Sequence, residues 1–110
     1  MLKIGNNKGV EMKVKSCETL EELRKEVDKV DEKIVELIAV RNDYIKQAAK
    51  FKHTVDEIKA DERIEDVLDH VRHKALSLGV SPNMVADLYK EMIDAMVETE
   101  IAEFRNKGSF

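Results

Sequence analysis

From Leu20 to Phe51 apolar side chains return every third or fourth residue, at Leu20, Leu23, Val27, Val30, Ile34, Leu37, Tyr44, Ala48 and Phe51, and no glycine or proline interrupts them. That spacing follows the turn of an α-helix and makes one continuous apolar seam, which must be buried against other helices. Thr19 is placed to cap the first turn with its hydroxyl, and Glu22, three residues on, completes a capping box. With nothing to break it before His53, the helix is expected to run about 33 residues, or roughly 50 Å at 1.5 Å per residue. A helix of that length is out of scale in a chain of 110 residues, and points to a partner chain lying alongside. Size argues the same way, since a lone domain this small has a thin margin of buried surface.

The remaining chain continues the helical pattern. Residues 53–60 (HTVDEIKA) lose the period and read as a connector. A second helix is expected from Asp61 to Leu78, with Ile64, Val67, Leu68, Val71, Ala75 and Leu78 on one side and Gly79 as its stop. Ser81 and Pro82 read as a cap followed by proline at the first helical position. The third helix then runs to about Asn106, with Val85, Leu88, Tyr89, Met92, Ile93, Met96, Val97, Ile101 and Phe104 inward. The expected fold is therefore all-α, with a long, a short and a long helix in a domain spanning 17–107. Residues 1–16, with four lysines, one glutamate and no sustained period, read as a flexible extension, in which Met12 offers an alternative start, and 108–110 as a tail.

Composition narrows the function classes. Charged residues make up 38% and aromatics 5%, with Gly 4 and Pro 1, a balance that favours long helices and excludes an all-β fold. A net charge of -4 argues against a nucleic-acid partner, which calls for a cationic surplus. No apolar run approaches the length that crosses a bilayer, and the first residues carry charges where a signal peptide has its apolar core. The lone Cys17 has no second cysteine to pair with, so the cytoplasm is the default compartment.

Three charges sit where the helical pattern asks for apolar residues. Arg41 falls on the seam of the first helix, four after Leu37 and seven before Ala48, where a guanidinium needs an anion. Lys52 lies eleven residues further, within roughly 20° of the same line and about 16 Å along it. Together the two can converge on one small polyanion; alternatively Lys52 only answers the dipole at the helix C-terminus. Glu100 lies among Ile93, Met96, Val97 and Phe104. Such burial favours a neutral carboxylic acid able to donate a hydrogen bond, although a core ion pair with Arg41 explains it equally. Asp66, His70 and His73 share a helix face, but mixed ligands on a polar face arise readily by chance, and no metal is expected. His53 is in the connector and Cys17 has no positioned histidine, so no nucleophile and base pair is expected either.

The stretch LRKEVDKVDEKIVELIAVRNDYIKQAAKFK, Leu23 to Lys52, closely resembles the first helix of the AroQ-type chorismate mutases and the related isochorismate pyruvate lyases, in which LRxxIDxxDxxIxxLxxxR is followed by a lysine eleven residues after its last arginine. The likeness extends through ADERIEDVL (Ala60 to Leu68) and along the third helix to Glu100. The resemblance implies an intertwined helical-bundle homodimer with two active sites, no cofactor, and a small dianionic substrate, chorismate or isochorismate. By position Arg24, Arg41, Lys52 and Arg63 match the substrate-binding cations of that family, and Glu100 stands where most members have Gln and some mutases Glu. Arg24 is 17 residues from Arg41, roughly 26 Å and about 100° away on one straight helix. If both serve one site, Arg24 reaches in from the partner chain.

On this reading Lys52 and a protonated Glu100 are the catalytic donors, with Ala60, Ile64, Met96 and Val97 lining the pocket. Activity is expected to fall as pH rises through the titration of Glu100. Many mutases of the group have Asp and Glu at the positions of Ala60 and Ile64; the apolar pair here resembles the lyases, whereas Glu100 leans toward the mutases. The mutase reading is ranked first, the lyase second, and a non-catalytic helical dimerisation module third, since it leaves Arg41 and Glu100 unexplained. The connector between Lys52 and Arg63 is placed to act as a lid.

Overall fold

The computed structural model describes residues 12–60 and 63–107, and every regular element among them is helical. Helix α1 spans Leu20–Ala48 and passes into a single 3-10 turn, Ala49–Phe51; α2 spans Val55–Lys59, α3 Arg63–Ser77 and α4 Pro82–Lys107. The chain divides into two compact units, 1–38 and 39–110. Among the described residues no helix is long and apolar enough to cross a membrane. Residues 1–11 of the expected extension, the 108–110 tail, and Asp61, where the second helix was expected to begin, lie outside the described residues.

Local chemistry explains most boundaries. The Thr19 hydroxyl accepts a hydrogen bond from the Glu22 amide at 3.1 Å, and the Glu22 carboxylate accepts from the amide of Glu18 at 3.1 Å. This capping box is shifted one residue outward from the usual reciprocal pair. The Ser81 hydroxyl accepts from the Met84 amide at 3.2 Å, with Pro82 opening α4. At the end of α3 the amide of Val80 donates to the carbonyl of Ala75 at 2.9 Å and that of Gly79 to Leu76 at 3.2 Å. These are the two bonds of a Schellman motif, and Gly79 supplies its left-handed residue at φ 74.

Two departures from the sequence expectation matter for the site. The first helix stops being α-helical at Ala48 and does not reach Lys52; it tightens into the 3-10 turn, and Lys52 leaves in extended conformation, φ -97 and ψ 145. The connector is not irregular throughout, because residues 55–59 form α2. Thr54 caps it, accepting from the Glu57 amide at 3.1 Å, while the Glu57 carboxylate accepts from the His53 amide at 2.8 Å. The geometry repeats that at the start of α1. Five residues are too few to hold a helix in water; α2 is held by Ile58, 1% exposed, whose burial contributes about 1.5–3 kcal/mol.

The core lies in the second unit. Leu68, Val71 and Ala75 of α3 meet Ala86, Ile93, Met96 and Ile101 of α4, and Ala49 and Ile58 are buried with them. Helices α3, α2 and the 3-10 turn all pack on α4. Leu88, expected inward, is 62% exposed; the inward stripe of α4 passes through Ala86 instead.

In the first unit, α1 buries no side chain at all. Its seam is 59% exposed at Leu20, 50% at Val27, 49% at Ile34 and 54% at Leu37. The seam is present in full along the helix. Glu26 there pairs with Lys29 at 2.9 Å and with Lys15 at 3.4 Å. The Lys29 hydrogen bond holds its carboxyl below the ordinary glutamate range, against an opposing desolvation and with the charges of Lys15 and Lys29 adding to the lowering.

Candidate active site

Within the second unit α4 meets α2, α3 and the end of α1 around a cavity of about 440 Å³, counting the part open to solvent. Its walls are aliphatic: Ile45 from α1, Ile58 from α2, Ile64 and Val67 from α3, Ile93 and Val97 from α4. Three ionisable groups break that surface, Arg41, Arg63 and Glu100. Each lies on a different helix, so only the packing brings them together.

Arg41 is half-buried. Its Nη1 lies 2.8 Å from the thioether sulfur of Met96, and the guanidinium carbon is 5.7 Å from the centroid of the Tyr89 ring. A thioether is a weak acceptor, and a ring face attracts a cation without neutralising it. Among the described residues no carboxylate pairs with this guanidinium. The core ion pair between Arg41 and Glu100, one of the two explanations open from sequence, is not formed.

Glu100 instead faces Lys52. The Lys52 Nζ lies 3.5 Å from Glu100 Oε2, with side chains 19% and 7% exposed. That distance lies within reach of an ion pair but beyond the roughly 2.7–2.9 Å of a well-formed charged hydrogen bond. Oε2 is fully buried and has no hydrogen-bond partner. A buried oxygen in that condition is uncommon, and a catalytic role is one of the explanations for it.

The expected site residues thus fall into groups. Arg41, Arg63, Ile64, Met96, Val97 and Glu100 line one cavity, and Lys52 meets them through Glu100. Ala60 is exposed, at the C-cap of α2, and is not part of the wall. Arg24 belongs to the first unit and is not among the lining residues. Arg41 and Arg63 also face an adjoining open recess of about 700 Å³ with Asp66, His70 and Tyr89.

Sequence reading passed over Ile45, Ile58 and Tyr89. Ile58 was findable, because Thr54 and Glu57 stand in capping-box spacing just before it; Tyr89 meets Arg41 across two helices, a relation no local spacing carries. His73 Nδ1 lies 2.7 Å from the main-chain oxygen of Asp69 in its own helix. Among the described residues no three His, Cys, Asp or Glu side chains gather in an arrangement that could hold a metal.

Comparison with known proteins agrees on this region. The family described as chorismate mutase type II matches residues 23–101. Similar curated proteins include an isochorismate pyruvate lyase from Pseudomonas aeruginosa, 29% identical over 89 residues that cover 81% of this chain and 88% of that protein. A chorismate mutase from Methanocaldococcus jannaschii is 31% identical over 95 residues, 83% of this chain and 96% of that protein.

Proposed function

We propose, from the premise that this chain belongs to the chorismate mutase type II family, that it rearranges chorismate to prephenate in a site built by two copies of the chain and needing no cofactor. The observation that carries this reading is Glu100 Oε2, buried without a hydrogen-bond partner and facing the Lys52 ammonium at 3.5 Å beside aliphatic walls. Two polar groups meeting at one point, in a cavity whose described lining has no Ser, Thr, Cys or His, suit a reaction in which charge grows on a single oxygen.

The rearrangement breaks one ether C–O bond and makes one C–C bond inside the same molecule, so no protein atom is consumed and no proton is transferred. What the protein supplies is a compact reactive conformer and stabilisation of the ether oxygen as its bond breaks. Arg41, Arg63 and Arg24 of a second copy clamp the carboxylates, guanidinium to carboxylate in paired hydrogen bonds. Lys52 and Glu100 in its acid form donate to the ether oxygen, each worth on the order of 3 kcal/mol of barrier. Ile45, Ile58, Ile93 and Val97 exclude water, which strengthens both effects.

The second copy is supported by the apolar seam of α1, exposed from Leu20 to Leu37. Residues 17–107 form the catalytic domain on this reading, with 1–16 and 108–110 outside it. The lone Cys17 suits the cytoplasm as its compartment.

A second reading, conversion of isochorismate to salicylate and pyruvate, is favoured by one feature. Ile64 presents a hydrocarbon wall and offers no acceptor to a ring hydroxyl. Parallel assays decide between the two. Purified protein is expected to convert chorismate to prephenate; salicylate release from isochorismate with chorismate left intact moves the assignment to the lyase, and failure to turn over either compound sinks both.

A further inference from the structure

The last turn of α4 reaches back to the segment that carries Lys52. Lys107 Nζ donates to the main-chain oxygen of Ala49 at 2.8 Å and to that of Lys52 itself at 3.3 Å. The Phe104 ring, one turn earlier, lies with its centroid 5.1 Å from the same ammonium. The two oxygens close the 3-10 turn, where exposed carbonyls concentrate partial negative charge and attract a cation. Ala49 is 0% exposed, and its oxygen also accepts a long 3.4 Å bond from the Lys52 amide. Lys52 then leaves the helix in extended conformation, so no further helical turn holds its backbone in place.

We infer that Lys107 is a positioning residue, fixing the backbone from which Lys52 extends and hence the place of its ammonium opposite Glu100. Glu100 stands seven residues before Lys107 on the same helix. A single rigid element therefore carries the carboxylate at one level and, about two turns on, anchors the main chain of the lysine that faces it. The 3.5 Å separation is set by α4 at both ends. Lys107 lies beyond residue 101, where the family match stops. The inference rests on the reading of Lys52 as a donor to the reacting oxygen.

The test compares Lys107→Met, which keeps the length of the side chain and loses the charge, with Lys107→Arg, which keeps donors for both carbonyls. In the methionine variant kcat is expected to fall about tenfold with KM nearly unchanged, since small misplacements of a catalytic group cost rate. Amide hydrogen exchange across residues 49–53 is expected to rise, and arginine should restore both. Equal kcat in wild type and Lys107→Met overturns the inference, as does a parallel change of kcat and KM that tracks only a lower melting temperature. Unchanged exchange at 49–53 overturns it whatever the activity. Should the wild-type protein turn over neither chorismate nor isochorismate, the proposed reaction fails, and the exchange measurement alone decides the anchor.

Discussion

Glu100 and Lys52 face each other at 3.5 Å beside hydrocarbon walls. Replacing a buried pair by well-packed apolar residues is often neutral or better for folding, so the pair argues for a chemical role. On the proposed role, Glu100→Ala removes one donor and should lower kcat by roughly 10²–10³-fold. Glu100→Gln keeps a donor in the same place and should retain most of the activity that Glu100→Ala loses. Equal kcat in wild type and Glu100→Ala would remove Glu100 from the donor role. Arg41 belongs to the same scale: a guanidinium held by a thioether and a ring retains its capacity for a carboxylate.

At the scale of elements, α2 is the piece that local sequence alone would not sustain. It is five residues long and depends on the Thr54 cap and on Ile58 in the core. Thr54→Ala should cost about 1 kcal/mol and lower the urea midpoint accordingly. Hydrogen exchange at 55–59 should quicken before that of α3 or α4, because losing the cap loosens the element that holds Ile58 against the cavity. Uniform exchange across the second unit would mean that α2 has no separate opening. The threonine and glutamate that cap α2 were legible at the same spacing as those that cap α1. The conversion of α1 to a 3-10 turn at Ala49 was not, because Ala49, Lys50 and Phe51 are all compatible with an α-helix. What ends it there is the burial of Ala49 and the carbonyl contacts of Lys107, both contributed from far along the chain.

For the whole molecule the decisive fact is that α1 leaves its apolar seam uncovered. A contiguous exposed stripe of that kind marks an association surface, and the proposed site needs Arg24 from a second copy. Ile34→Glu, 49% exposed in the single chain, should therefore do more than a surface change ordinarily does. Sedimentation should report monomer in place of dimer, and activity should disappear with the dimer although residue 34 is not on the cavity wall. A wild-type protein that sediments as a monomer and still turns over substrate would sink the two-copy site.

The helical class, the caps at Thr19 and Ser81 and the glycine stop at Gly79 were all written in local pattern, because hydrogen-bonding geometry within a few residues determines them. The oddness of Arg41 and Glu100 was readable for a related reason: a charge interrupts an apolar period whatever the fold. The pairing of Glu100 with Lys52 in place of Arg41, the thioether and ring beside Arg41, and the anchoring of Lys52 by Lys107 were decided only by tertiary structure. Each joins residues roughly fifty positions apart, and such distances are set by how helices pack, which no run of neighbouring side chains encodes.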